Sequence, residues 1–351
     1  MFFANIAPEP SFFHSLFTRP ADAGPFQRTL SEIQMSEPLV ECVPNFSEGT
    51  DLRRVQSIVA AMRVPGVSLL DFSMDADHNR SVVTIAGSPS AIVEAAVRGA
   101  GKAVELIDLT RQQGVHPRIG AADVIPFVPI SGIKLEQCVL LARQTGLEIW
   151  RRYGVPVFFY EAAAARPDRA NLEDIRRGQF EGLRDAVRND SSSRPDLGGP
   201  GLHPTAGACA VGARKFLVEY NIYFDSSDVA AARAIAREVR TASSGLKGVK
   251  ALGVLAHGRA QLNMSITDFQ VTPLSLVFRK VSALATRHKV APVSGEIIGL
   301  LPEAACERDS DWMRQLSEFN PQTKILEQRL AAPLAWPGET SAGSQTPESP
   351  R

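Results

Sequence analysis

The chain has no excess of either charge. Lysine plus arginine and aspartate plus glutamate number 38 each among its 351 residues. A nucleic-acid-binding surface needs a basic excess or a concentrated basic stripe, and neither is present. Anionic ligands must therefore be met by a few local arginines rather than by a global field. Cysteine is scarce. Cys42, Cys138, Cys209 and Cys306 are widely spaced, with no C-x-x-C pair and no histidine at zinc spacing. That favours free thiols in a reducing compartment, each by default a small buried residue. No apolar run reaches the roughly 20 residues that span a bilayer, so no membrane association is expected. There is no G-x-G-x-x-G after a strand. "GACAVGARKF" falls short of a phosphate loop, because Lys215 comes two positions late and no Ser or Thr follows it. Dinucleotide and nucleoside triphosphate sites are thereby excluded. "DADHNR" opens like a calcium loop, but Arg80 stands where glycine is required and Ala86 where glutamate is.

What is present is ordinary for a soluble globular protein: 44% apolar and 22% charged residues. The length suits two domains. The opening "MFFANIAPEPSFFHSLFTRPADAGPFQ" has neither a basic start nor a continuous apolar segment, so it fails as a signal peptide. Pattern begins after Met35. Met35 is the expected start, with 1–36 a disordered or non-physiological extension. The polar, Pro/Ser-rich stretch 331–351 is expected to be disordered.

Between these ends the hydrophobic period alternates between strand and helix. Strands are predicted at 39–46, 67–72, 81–87, 124–129 and 155–161, with helices near 52–62, 89–107 and 135–153. Gly154 and Pro156 stop the last of these. After a Gly/Pro/Ser-dense break at 189–207, strands follow at 216–224, 249–256, 260–267 and 296–302. Helices lie at 229–239 and 273–288. The second half reads strand–helix–strand–strand–helix–strand, the order of a split βαβ unit, and the first half repeats that plan with additions. The expected fold is α+β: two ferredoxin-like subdomains, with mixed or antiparallel sheets and helices packed on them. Their expected limits are 37–188 and 208–330.

Few residues stand out as chemistry. In "GVHPRIG", Pro117 pushes His116 toward extended geometry, and Gly114 and Gly120 permit tight turns on either side. A stiff loop entering a strand suits a general acid or base that titrates near neutrality. It also suits a structural loop histidine. "DADHNR" is a solvated loop with local ion pairing, a metal site lacking a second ligand cluster, or a place where Asn79 and Arg80 touch a ligand. Arg214 and Lys215 are a carboxylate clamp or a solvated pair. The 189–207 break is a linker or a ligand loop.

Several long segments taken together are similar to the glutamate formiminotransferase (formimidoyltransferase) family. They are "LVECVPNFSEG", "LLDFSMDADHNR", "LIDLTRQQGVHPRIGAADVIPFVPI", "NLEDIRRGQFEGL", "RPDLGGPGLHPTAGACAVGARKFLVEYNI" and "MSITDFQVTPL". The resemblance runs from about residue 39 to 302. It implies two ferredoxin-like subdomains, a homodimer, and a cytoplasmic enzyme of histidine breakdown without the cyclodeaminase domain fused to some members. The implied reaction moves a formimino group from N-formimino-L-glutamate to N5 of tetrahydrofolate, a cosubstrate, with no metal. His116 falls on the family's catalytic histidine. The folate-lining segment falls on Gly198, Gly199, Pro200, Gly201, Leu202, His203, Pro204, Thr205, Ala206 and Gly207. Arg80, Arg118 and Arg214, with Asn79, are the candidates for holding substrate carboxylates. The chain departs from the family at Val115 and Ser73, where acids are found in other members. Asp75 and Asp77 are the nearest acids able to compensate. A same-fold enzyme using N-formylglutamate or formyl-folate, a non-catalytic folate-binding protein and a metal hydrolase using His78 and Asp77 are the alternative functions.

Overall fold

A computed structural model describes residues 37–339 apart from 241–244 and 318. The expectations for 1–36 and for 340–351 fall outside the described residues. Two β-sheets carry the chain, one mixed and one antiparallel, each with helices packed on it.

The first sheet begins with β1 (Leu39–Cys42) and β2 (Asn45–Phe46). They lie end to end because Pro44 has no N–H to give a ladder. Its carbonyl still accepts from Val83 N at 3.0 Å. Next come α1 (Leu52–Ala61), β3 (Val67–Asp75), β4 (Arg80–Gly87), α2 (Pro89–Leu106) and β5 (Ala122–Ser131). β1 and β2 pair antiparallel with β4 on one side and β5 on the other, and β3 pairs with β4. Spatially these four lines run second, third, first, fourth. α3 (Leu135–Tyr153) leads to β6 (Val157–Glu161), and α4 (Leu172–Ile175) and α5 (Gln179–Asn189) to β7 (Cys209–Ala213). β7 inserts in parallel between β5 and β6. The second subdomain was expected from 208, but β7 belongs to the first sheet by pairing, and the chain leaves it after Ala213. β7 was not predicted: five short or branched, fully buried residues show no alternation to read.

The second sheet is built from β8 (Val218–Phe224), α6 (Val229–Val239), β9 (Val249–Ala256), β10 (Arg259–Ile266), α7 (Leu274–Arg287) and β11 (Pro292–Ile298). Its order, β11–β8–β10–β9, is wholly antiparallel and again fourth, first, third, second. The last strand starts four residues earlier than predicted.

Burial explains the layering. α1, α2 and α3 cover one face of the first sheet over a core containing Phe46, Ile85 and Phe127. α6 and α7 cover the second sheet over Tyr220, Ile222 and Leu262. On the other face of the first sheet, α4 and α5 pack over Phe158 and Tyr160, while Leu70 and Ala86 meet Leu300 and Leu326 of the second half. The stretch 331–339 is ordered, contrary to expectation. Leu334 N donates to Leu69 O at 2.8 Å, and Trp336 is buried in the first core. One buried tryptophan outweighs the polar composition around it. Among the described residues no helix is long and apolar enough to cross a membrane.

Candidate active site between the two sheets

The segment joining α2 to β5 carries His116 and is tied down at both ends. Leu109 N donates to Thr205 O at 2.8 Å, Ala121 N to Ala206 O at 2.9 Å, and Ala208 N to Ile119 O at 2.9 Å. Its middle rests on the β3–β4 hairpin. Val115 N donates to Asp77 O, Gln112 Nε2 to Asn79 O, and Asn79 Nδ2 to Gln113 O at 2.6 Å. Asn79 Oδ1 also accepts from Gly49 N at 2.9 Å. Gly114 is required by this contact, since a Cβ there would lie 2.4 Å from the His78 carbonyl oxygen. The loop is therefore as stiff as its composition suggested.

His116 is half-buried. Its Nδ1 donates to Pro117 O at 2.7 Å, which leaves the lone pair on Nε2. Arg80 Nη1 donates to that lone pair, and Arg80 Nη2 donates to Asn45 Oδ1. Burial, then the positive charges of Arg80 and Arg176, hold the imidazole well below the ordinary histidine range. It is neutral at pH 7, with one basic nitrogen aimed at an arginine. Burial and Arg176 also pull the Arg80 guanidinium down to about 10, which leaves it charged.

Around this pair the structure gathers His116, Asn79, Arg80 and Arg118 on one small cavity, with His78, Gln112 and Asp123. Arg118 is buried and spends its donors inside the protein. Nε donates to Gln112 Oε1 at 2.7 Å, and Nη1 and Nη2 grip the two oxygens of Glu181 at 2.8 Å each. Asp75 and Asp77 are also engaged: Asp75 with His78 at 3.0 Å, and both with His257 of the β9–β10 turn at 3.6 and 3.4 Å. Arg214 stands apart, on a neighbouring cleft of about 250 Å³ shared with Glu161, Thr267 and Asp268. Its presumed partner Lys215 is paired with Asp268 at 3.0 Å.

The C-terminal end of loop 198–207 is bonded to the His116 segment, Gly198 lies by Trp150 of α3, and no residue of the loop lines the small cavity itself. Gly198 and Gly199 take φ values of 81° and 95°, and Gly199–Pro200 is cis. His203 and Gly207 exchange backbone hydrogen bonds, and His203 Nδ1 accepts from Ala206 N at 3.0 Å. Sequence reasoning missed Asn45, Asp123 and Arg176. Asp123 Oδ1 accepts from Ile119 N at 2.7 Å, and its Oδ2 pairs with Arg176. It also missed Glu219 on β8, whose carboxylate accepts from Ser265 Oγ. Burial raises the Glu219 pKa, while Arg80, Arg214 and Arg176 oppose that. Charges on the two sheets therefore face each other. Among the described residues no group of three or more His, Cys, Asp or Glu is placed to hold a metal ion.

Glu41 of β1 has an electrostatic cost that can be measured. Burial lifts its carboxyl from 4.5 to about 7, against the pull of Arg214. The native state therefore holds this proton more tightly than the unfolded chain. Its stabilising effect is complete below pH 4.5 and lost as pH rises through 7. Glu41→Gln is expected to leave stability at pH 4 unchanged and to raise it at pH 8 by about 2–3 kcal/mol. Denaturant melts at the two pH values check this.

The formiminotransferase domain's N-terminal subdomain model matches residues 39–214, and the formiminotransferase domain model matches residues 219–321. The glutamate formimidoyltransferase of Streptococcus pyogenes serotype M1 is 41% identical over 295 residues, which is 83% of this chain and 98% of that protein. That of Thermoplasma acidophilum is 41% identical over 297 residues, 83% of this chain and 97% of that protein. The formimidoyltransferase-cyclodeaminase of Gallus gallus is 36% identical over 327 residues, 84% of this chain but 60% of that longer protein. With two consecutive domain matches and two relatives aligned at 41% identity over nearly their whole length, the chain belongs to the formiminotransferase family.

Proposed function

We propose that the protein transfers the formimino group of N-formimino-L-glutamate to N5 of tetrahydrofolate, with His116 as general acid and base. The bond from the formimino carbon to the glutamate nitrogen breaks, and one to N5 forms. The proton leaving N5 ends on the glutamate nitrogen, so a single imidazole suffices to take it and return it. The observation that carries this is the neutral His116 with Nε2 as its basic atom, held on a stiff loop among arginines. Both substrates bring carboxylates. Arg80 and Arg176 each bury an Nε donor without a partner, an arrangement that a ligand anion would complete. Arg80 and Arg214 meet the carboxylates. Asn79 and Arg118, whose polar atoms are already engaged, hold the loop. Loop 198–207 forms the folate-lining wall, a role supported by its bonds to the His116 segment. The two halves are ferredoxin-like subdomains; the shared strand order supports this.

Purified protein given tetrahydrofolate and formiminoglutamate should release glutamate in step with loss of the formimino donor. Inactivity with that pair, together with turnover of N-formylglutamate, would replace the formimino donor by a formyl donor.

A further inference from the structure

The second sheet turns a polar face toward the first, and strand register lays that face out as a grid. On β8 the residues Val218, Tyr220 and Ile222 point into the core, so Glu219, Asn221 and Tyr223 point the other way. Gln261, Asn263 and Ser265 of β10 stand beside Tyr223, Asn221 and Glu219 respectively. Glu296 of β11 stands beside Asn221 on its other flank. This face is held against the first subdomain at both ends of β9. Lys250 reaches Glu173 at 3.1 Å at one end, and His257 N donates to Asp77 Oδ2 at 3.1 Å at the other.

At the centre of the grid one carboxylate oxygen collects three donors. Glu296 Oε1 accepts from Asn221 Nδ2 at 2.9 Å, Tyr223 OH at 3.0 Å and Gln261 Nε2 at 3.1 Å. Such a carboxylate is fixed in place, and no donor among the described residues reaches its Oε2. Those bonds also fix Gln261, which is 0% exposed, with its Oε1 buried and without a partner. Asn263 Oδ1 is buried without a partner as well. An unpaired buried acceptor costs about 1–3 kcal/mol, so the two buried amide oxygens, with the free Glu296 Oε2 on the same face, call for a ligand to fill them.

We infer that Glu296, Gln261 and Asn263 form the recognition site for the amino-oxopyrimidine half of the reduced pterin ring. This rests on the proposed function in taking tetrahydrofolate as the cosubstrate. All three open groups accept hydrogen bonds, so the matching ligand edge is rich in N–H. A tetrahydropterin presents its 2-amino group and N3–H side by side, with N8–H on the adjoining ring. The amidine of formiminoglutamate also carries N–H groups. That molecule, however, is built around two carboxylates, which offer Glu296 only further acceptors and which the arginines of the first sheet attract. The division of charge between the two sheets thus assigns the dianionic donor to the first and the neutral heterocycle to the second.

Titration calorimetry on the intact chain with tetrahydrofolate, kept reduced and without the formimino donor, tests this. Glu296→Gln should weaken binding roughly 10–100-fold, the range of a charged hydrogen bond. The KM for formiminoglutamate should stay within about twofold. Wild-type protein should bind a tetrahydrofolate lacking the 2-amino group more weakly by a similar factor, and Glu296→Gln should not distinguish the two ligands. Tyr223→Phe, which removes one of the three donors with little change in shape, should weaken binding a few-fold. Equal wild-type affinity for both ligands overturns the site without any variant being needed. So does unchanged affinity in Glu296→Gln or Tyr223→Phe, and so does a loss confined to formiminoglutamate. If these binding shifts occur but no formimino group is transferred, the site stands and the catalytic proposal fails. If transfer occurs without the shifts, only the site fails.

Discussion

His116→Ala is expected to lower kcat by about 10²–10⁴-fold, the usual contribution of a positioned acid–base group. Tetrahydrofolate affinity should be nearly unchanged, because the loop is held by backbone bonds from Leu109, Ala121 and Ala208 and not by the imidazole. A drop in kcat and kcat/KM together, at constant affinity, marks an interaction made in the transition state. The pH profile adds a second readout. Burial, Arg80 and Arg176 disfavour the protonated ring, so the acid limb of wild-type kcat/KM should fall below 6.5. The same shift acts on stability. As pH drops below about 6.5 the unfolded chain takes up this proton first, and stability declines until the folded value is passed. His116→Ala should remove that part of the slope. Retention of full turnover by the variant would leave His116 a structural loop residue and require another base.

Much of this was legible in the sequence, and the reasons differ by element. α3 announced itself through helical spacing and its stop at Gly154, which indeed takes φ +64°. The stiffness of the loop that carries His116 was legible because Gly114 and Pro117 restrict the backbone on either side, a local effect. β7 was not, since a short strand buried on both faces looks like any apolar run. The second-sheet residues were hidden for the opposite reason. Glu219, Asn221 and Tyr223 alternate with buried neighbours, the pattern of a strand with one wet face. Whether that face meets water or another sheet depends on contacts across tens of residues, such as Lys250 with Glu173. Arg118 shows the converse: a plausible substrate ligand by residue type, it is placed by α5 as a brace on Glu181. Donor capacity is visible in sequence, but its prior use is not.

Arg80→Ala should produce the other large effect, and a distinctive one. As a pure donor, Arg80 can only occupy the lone pair that the proposed catalysis asks of His116. On the proposed mechanism, the base would become free when a substrate carboxylate draws the guanidinium away from Nε2. Arg80 would then link binding of the anion to exposure of the base. Loss of that charged contact is expected to reduce kcat/KM for formiminoglutamate roughly 10–100-fold, mostly through KM. It should also move the acid limb of the pH profile upward, toward the ordinary histidine value, because a positive neighbour that opposes protonation has gone. Arg80→Lys keeps a charge near the ring but lacks the planar fork whose two arms bond Asn45 and His116, so it should restore the limb more fully than the KM. A KM that rises with no movement of the limb would separate the two roles and leave Arg80 a carboxylate ligand alone. A limb that moves with no change in KM would leave it only an electrostatic neighbour of His116.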